Sequence, residues 1–225
     1  MVPFLVGVVW PRCRLNIFTA PVFMDRHAES LSSARSMPTL AATMRWVDRL
    51  IIGQNLCPYT KAVRRRPEAL RCVVSKATDA ETLLADVDAE VEALRSGQGE
   101  TSLLVLPPST PWGAELHGDF AQFMSFGWKV EERLAPPDAD SMALQLTLFH
   151  PKALRNLYSM GEEEEAADYA MRSPHPTIHL LRVSDVAAVP PKTAAAVPER
   201  NRAALEALGV PRLRELLAST HSSLS

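Results

Sequence analysis

From Pro38 onward, apolar residues recur at helical spacing. Leu40, Met44, Val47 and Ile51 stand at i, i+4, i+7 and i+11, which predicts an amphipathic helix that Gly53 can end. Pro58 to Arg66 predicts a short second helix, with Pro58 at the first position, where its missing N–H costs nothing. Thr78-Asp79-Ala80-Glu81 has the form of a capping box ahead of Leu84, Val87, Val91 and Leu94, and Gly97 closes that helix. Leu116, Phe120 and Phe123 predict a third long helix, followed by a loop over 135–140. A weaker helix is expected over 162–171. Glu199 to Leu208 predicts another, stopped by Gly209, and a last helix follows Pro211.

Between these lie four stretches with strand character. Arg71 to Ser75 is short. Thr101 to Leu106 is continuously apolar after its first two residues and is closed by Pro107-Pro108. In Ala143 to Phe149, Leu144, Leu146 and Leu148 alternate with Gln145 and Thr147, which gives one clearly apolar face. Thr177 to Val183 is the fourth. Strands alternating with helices of this length predict an α/β (or α+β) fold: a single-domain sandwich of about four strands covered by helices, over 37–220.

Residues 1–36 are set apart from that domain as an N-terminal extension, expected to be disordered. No acid appears before Asp25, while Arg12, Arg14, Arg26 and Arg35 are scattered among Ser and apolar residues. The pattern resembles an organellar presequence, so a mitochondrial location stands as the alternative to a cytoplasmic one. Three cysteines, Cys13, Cys57 and Cys72, form no C-x-x-C pair and no disulfide framework, which favours a reducing compartment. No apolar run reaches the ~18 residues of a membrane span.

Composition narrows function mainly by exclusion. In 225 residues, 24 Lys+Arg face 26 Asp+Glu, a net charge of −2, which argues against a nucleic-acid or anionic-membrane coat. Nine glycines are fewer than the ~7% usual share would give. Gly97-Gln98-Gly99 lacks the third glycine of a dinucleotide fingerprint. Gly113 to Gly118 has the phosphate-loop gap, but Asp119-Phe120 stands where Lys-Ser/Thr belongs.

The candidate chemistry sits in short, proline-flanked polar loops. Cys57, with Asn55 just before it, would cap the helix opened by Pro58, where free N–H groups favour a thiolate. His150 ends a strand and precedes Pro151, a place for a proton-transfer group. Arg172 and Ser173 occupy a loop stiffened by Pro174 and Pro176, with Arg172 suited to grip an anion and His179 on the following strand. His175 and His179 have a spacing that invites zinc, but an extended chain holds them ~13 Å apart, so no metal site is assigned. If the strands bearing His150 and His179 run antiparallel, these loops share one sheet end. That is the expected arrangement.

A family resemblance spans roughly residues 40–217. Trp46 and Ile52-Gly53-Gln54-Asn55-Leu56-Cys57-Pro58-Tyr59, then Arg71 to Ser75, then Phe149-His150-Pro151, then Arg172 to Arg182, and finally Pro198-Glu199-Arg200-Asn201 follow in order. This series resembles domain-of-unknown-function family 1415. The departures are Met171 for Asn, His175 for an aromatic residue and Val183 for Glu. The resemblance implies no activity.

The reading these residues favour is an enzyme acting on a small anionic molecule, with Cys57 and His150 catalytic and Arg172, Ser173, His179 and Asn55 binding substrate. A non-catalytic binding or assembly protein is the alternative. A thioredoxin-like monothiol redox protein is third, since Cys57-Pro58-Tyr59-Thr60 resembles a glutaredoxin site whose second Cys is Thr60. It requires a strand before Cys57. Cofactor and oligomeric state are not indicated. The expected partner is a small molecule, not nucleic acid or membrane.

Overall fold

The computed structural model describes residues 37–134, 142–154 and 163–222. The presequence-like stretch 1–36, the loop 135–140 and the start of the weak helix at 162 lie outside the described residues. The first helix, α1, runs over 37–46 and continues as a π-helix over Val47–Ile52. Its widened last turn is closed by i→i−5 bonds, Gly53 N to Asp48 O (3.1 Å) and Leu56 N to Ile51 O (2.8 Å). Such π turns are rare and cluster at functional sites. Asn55 follows at φ 52°, a left-handed conformation that Asn tolerates better than most residues.

The remaining elements in chain order are α2 (Thr60–Arg64), β1 (Leu70–Val74), α3 (Ala80–Arg95), β2 (Thr101–Val105), α4 (Pro111–Gly118), α5 (Phe120–Leu134), β3 (Leu144–Phe149), a 3-10 turn (Ala166–Ala170), β4 (Thr177–Arg182), α6 (Val183–Ala187) and α7 (Pro191–Ala218). The four strands form one mixed sheet, ordered β1-β2-β4-β3. β1 and β2 are parallel, whereas β4 runs antiparallel to both β2 and β3. The α/β sandwich with four strands is therefore the observed architecture.

Alternation along the strands divides two cores. Leu104, Leu144, Leu148, Ile178 and Leu180 pack with α3, α4 and α5. Leu103, Val105, Phe149, Leu70 and Cys72 face the opposite layer, with Trp46, Val47 and Leu50 of α1, Tyr169, and Leu205 and Leu213 of α7. A buried ion pair ties the first layer to the sheet. Glu90 of α3, 5% exposed, accepts from Arg71 Nε (2.8 Å) and Nη2 (2.9 Å) and from Ser102 Oγ (2.6 Å).

Several boundaries differ from the sequence expectation. The second helix starts at Thr60, with Tyr59 in the cap position, because Pro58 and Tyr59 form a turn. The α3 cap is Asp79, whose carboxylate accepts from Thr82 N (2.8 Å); the box lies one residue later than expected. The third long helix is two helices, broken at Asp119, whose backbone is extended and whose side chain accepts from Gln122 N (2.9 Å). The helix stopped by Gly209 starts earlier than expected, at Pro191, and Gly209, non-helical at φ 74° and ψ 156°, separates it from the last helix as expected, the two together being labelled α7. Among the described residues no helix is long and apolar enough to cross a membrane.

Candidate functional site

Antiparallel pairing of β3 and β4 sets Phe149 opposite Thr177, so the His150 loop and the 172–176 loop do meet at one sheet end. There His150 N bonds Met171 O (3.0 Å). The side chains of His150, Arg172 and Ser173, however, are all taken up by internal partners, whereas the buried His175 Nδ1 has no hydrogen-bond partner. His150 is fully buried. Its Nδ1 accepts from Lys152 N (2.9 Å), so the proton sits on Nε2, which donates to Leu116 O (2.8 Å). Phe120 and Phe123 flank the ring at 5.2 and 5.5 Å, and burial pushes its pKa down to about 4. Of this neutral ring's two nitrogens, Nδ1 closes the turn after β3 and Nε2 fastens it to α4.

Arg172 is likewise committed. Nε donates to Ala153 O (3.0 Å), Nη1 bonds Glu164, Nη2 lies 3.8 Å from Asp168, and the guanidinium stacks over Tyr169 at 4.9 Å. Its carbonyl accepts from Trp46 Nε1 (2.9 Å). Ser173, fully buried, donates to His175 O (2.6 Å) and braces the turn. His175 is turned toward His117 (5.9 Å between ring centroids) and His221 (5.4 Å), away from His179. Among the described residues no group of three or more His, Cys, Asp or Glu side chains could hold a metal.

Cys57 lies elsewhere. It packs in the α1/α7 layer, whereas His150 packs with the phenylalanines of α5 in the α3–α5 layer, so the sheet stands between them. The expected Cys57–His150–Arg172 pocket is therefore not formed. Nor does Cys57 cap a helix, since α2 begins three residues later. The chain before it is helical, which overturns the thioredoxin-like reading.

What Cys57 and His179 share is a cavity of about 320 Å³ between the sheet, the end of α1, α2 and α6. Its walls are largely apolar: Trp46, Val47, Leu56, Val63, Leu103 and Phe149 among them. His179 reaches it because strand alternation sends Ile178 and Leu180 into the α3–α5 layer and His179 to the other face, 5.9 Å from the Phe149 ring. Opposite on β2, Thr101 Oγ1 donates its one proton to Leu180 O (2.8 Å), so the 2.7 Å contact with His179 Nε2 must be an N–H donated by the ring. Burial drives the His179 pKa down to about 4, leaving Nδ1 with a lone pair that no described protein group takes.

The rim is charged but internally paired. Arg66 is bidentate to Glu100, and Arg182 Nε bonds Asp185 (2.7 Å), with its Nη2 4.0 Å from Glu100. Tyr59 OH donates to Val186 O, joining the turn before α2 to α6 across the opening. The cysteine loop is also held from α7: Arg200 Nη2 donates to Asn55 O (2.8 Å) and Asn201 Nδ2 to Leu56 O (2.7 Å). Asn55 thus contributes its carbonyl to the loop's architecture. Thr101, Glu100 and Asp185 are wall and rim residues with no signal in the sequence, because only the pairing of β2 with β4 and the turn into α6 bring them here, whereas Arg182 stands in a quoted motif. Asn201 and Trp46 did carry a signal, as members of the quoted motifs.

Neither a search of curated proteins nor one of solved structures found a match. Residues 39–215 match the family described as protein of unknown function (DUF1415). That range holds the first helix, the sheet, the cysteine loop and the α7 contacts that fix it, and the chain belongs to this family.

Proposed function

We propose that this protein binds a small, mainly apolar molecule in the cavity between α2, α6 and the sheet, with Cys57 and His179 as the groups it meets inside. The carrying observation is the cavity itself. Its ~320 Å³ falls at the lower end of the range for small-molecule sites, and an apolar wall with a few convergent polar groups is their usual character. The rim charges neutralise one another, which removes the support for an anionic ligand held by a free arginine. A thiol and an unprotonated imidazole nitrogen in one apolar hollow could also act on a ligand, but binding is the reading the geometry supports best.

Titration with the uncharged fluorophore N-phenyl-1-naphthylamine tests this. The expected result is saturable binding at one site per chain, weakened at least tenfold by Ala62→Trp. Ala62 is an exposed wall residue of α2, so a larger side chain there obstructs the cavity without entering the core. Non-saturable binding, or equal affinity in the variant, would overturn the proposal.

A further inference from the structure

Resting on that binding reading, we infer that the cavity selects an uncharged ligand carrying a hydrogen-bond donor on an apolar body, the donor meeting His179 Nδ1. Thr101 Oγ1 has a single proton, and Leu180 O takes it. The hydroxyl can therefore only accept from His179, and the ring's own N–H is fixed on Nε2 at 2.7 Å. Nδ1 is left as an acceptor with no described protein donor, on a ring that lines the cavity 5.9 Å from the Phe149 ring.

A wholly apolar ligand covering that nitrogen would strip its water and offer nothing in return, a cost borne by any buried unpaired acceptor. A carboxylate would be worse. It presents only acceptors to an acceptor, and it must pass Glu100 and Asp185 at the rim. A hydroxyl or N–H on an aromatic or aliphatic body satisfies both the walls and the nitrogen. Selectivity of this kind arises because a site built to pair one polar group leaves its own group unpaired with analogues that lack it.

Three naphthalenes of similar size separate the outcomes at pH 7.5 by isothermal titration: 2-naphthol, 2-methylnaphthalene and 2-naphthoate. The expected order is naphthol first, with methylnaphthalene and naphthoate each at least tenfold weaker. In His179→Leu the advantage of naphthol over methylnaphthalene should fall below threefold. Equal binding of naphthol and methylnaphthalene to the wild type would overturn the donor inference while leaving the binding reading intact. Tightest binding by naphthoate would overturn it in favour of an anion site. Binding of none of the three would overturn the cavity reading itself. The wild-type comparison decides without the variant, should His179→Leu fail to fold.

Discussion

His150 lies three residues beyond Thr147, the β3 partner of His179, yet the proton arrangements of the two rings are opposite in consequence. In His150 both nitrogens are bonded, to Lys152 N and Leu116 O. In His179, which lines the cavity, one nitrogen is bonded and the other has no described protein partner. Replacing His150 by Ala should therefore lower the unfolding free energy by about 2–4 kcal/mol, from a cavity beside Phe123 and an orphaned Leu116 carbonyl. Urea denaturation checks this, and a loss under 1 kcal/mol would mean the ring is not a structural pin. Asn201→Ala frees the Leu56 carbonyl and should cost about 1 kcal/mol while speeding alkylation of Cys57 severalfold, read by peptide mass spectrometry. At this scale the sequence singled out the polar residues in proline-flanked loops but not their partners. Leu116 is 34 residues from His150, and Glu164, which takes up Arg172, falls in a run that reads only as a helix start.

The elements were legible where one signal dominated. Strict alternation in Leu144 to Leu148 located β3 and its apolar face, and the 3.6-residue spacing of Val87, Val91 and Leu94 located α3. Where two signals competed, the boundary moved. Leu116, Phe120 and Phe123 all pack on the sheet side, so their spacing reads as one helix, although Gly118-Asp119 interrupts it and Asp119 restarts it as a cap. The π turn at Val47–Ile52 preserves the apolar face of α1 and so leaves no mark on its periodicity. Close packing of α5 on β3 depends on Gly127, where a Cβ would come within 2.4 Å of Leu148 Cδ1. Gly127→Val should thus destabilise by about 1–3 kcal/mol, measurable by urea denaturation, and a neutral outcome would show that α5 can lift off without cost.

For the whole molecule, the sheet is a partition. One layer holds the imidazole cluster of His117, His150 and His175, and the other holds the cavity with Cys57 and His179. Burial lowers the pKa of His150, His175 and His179 to about 4, whereas an unfolded chain takes up these protons near 6.5. The unfolded state binds more protons between those values, so stability is complete above pH 6.5 and is lost as pH falls toward 4. Each ring contributes at most about 1.4 kcal/mol per pH unit. A denaturation series from pH 7.5 to 4.5 should show that decline, and His150→Phe should make it shallower; a flat profile would contradict the neutral, buried rings. The sandwich and its strand count could be read from the chain. The partition could not, because it depends on β4 entering antiparallel between β2 and β3, and that order places Cys57 and His150 on separate faces.

The cavity account is tested most directly by the alkylation rate of Cys57 with and without saturating 2-naphthol, resolved by mass spectrometry from that of Cys72, which lies outside the cavity wall. Cys57 is expected to slow at least fivefold while Cys72 is unchanged. An unaltered Cys57 rate at a ligand concentration that saturates binding would place the ligand elsewhere and contradict it.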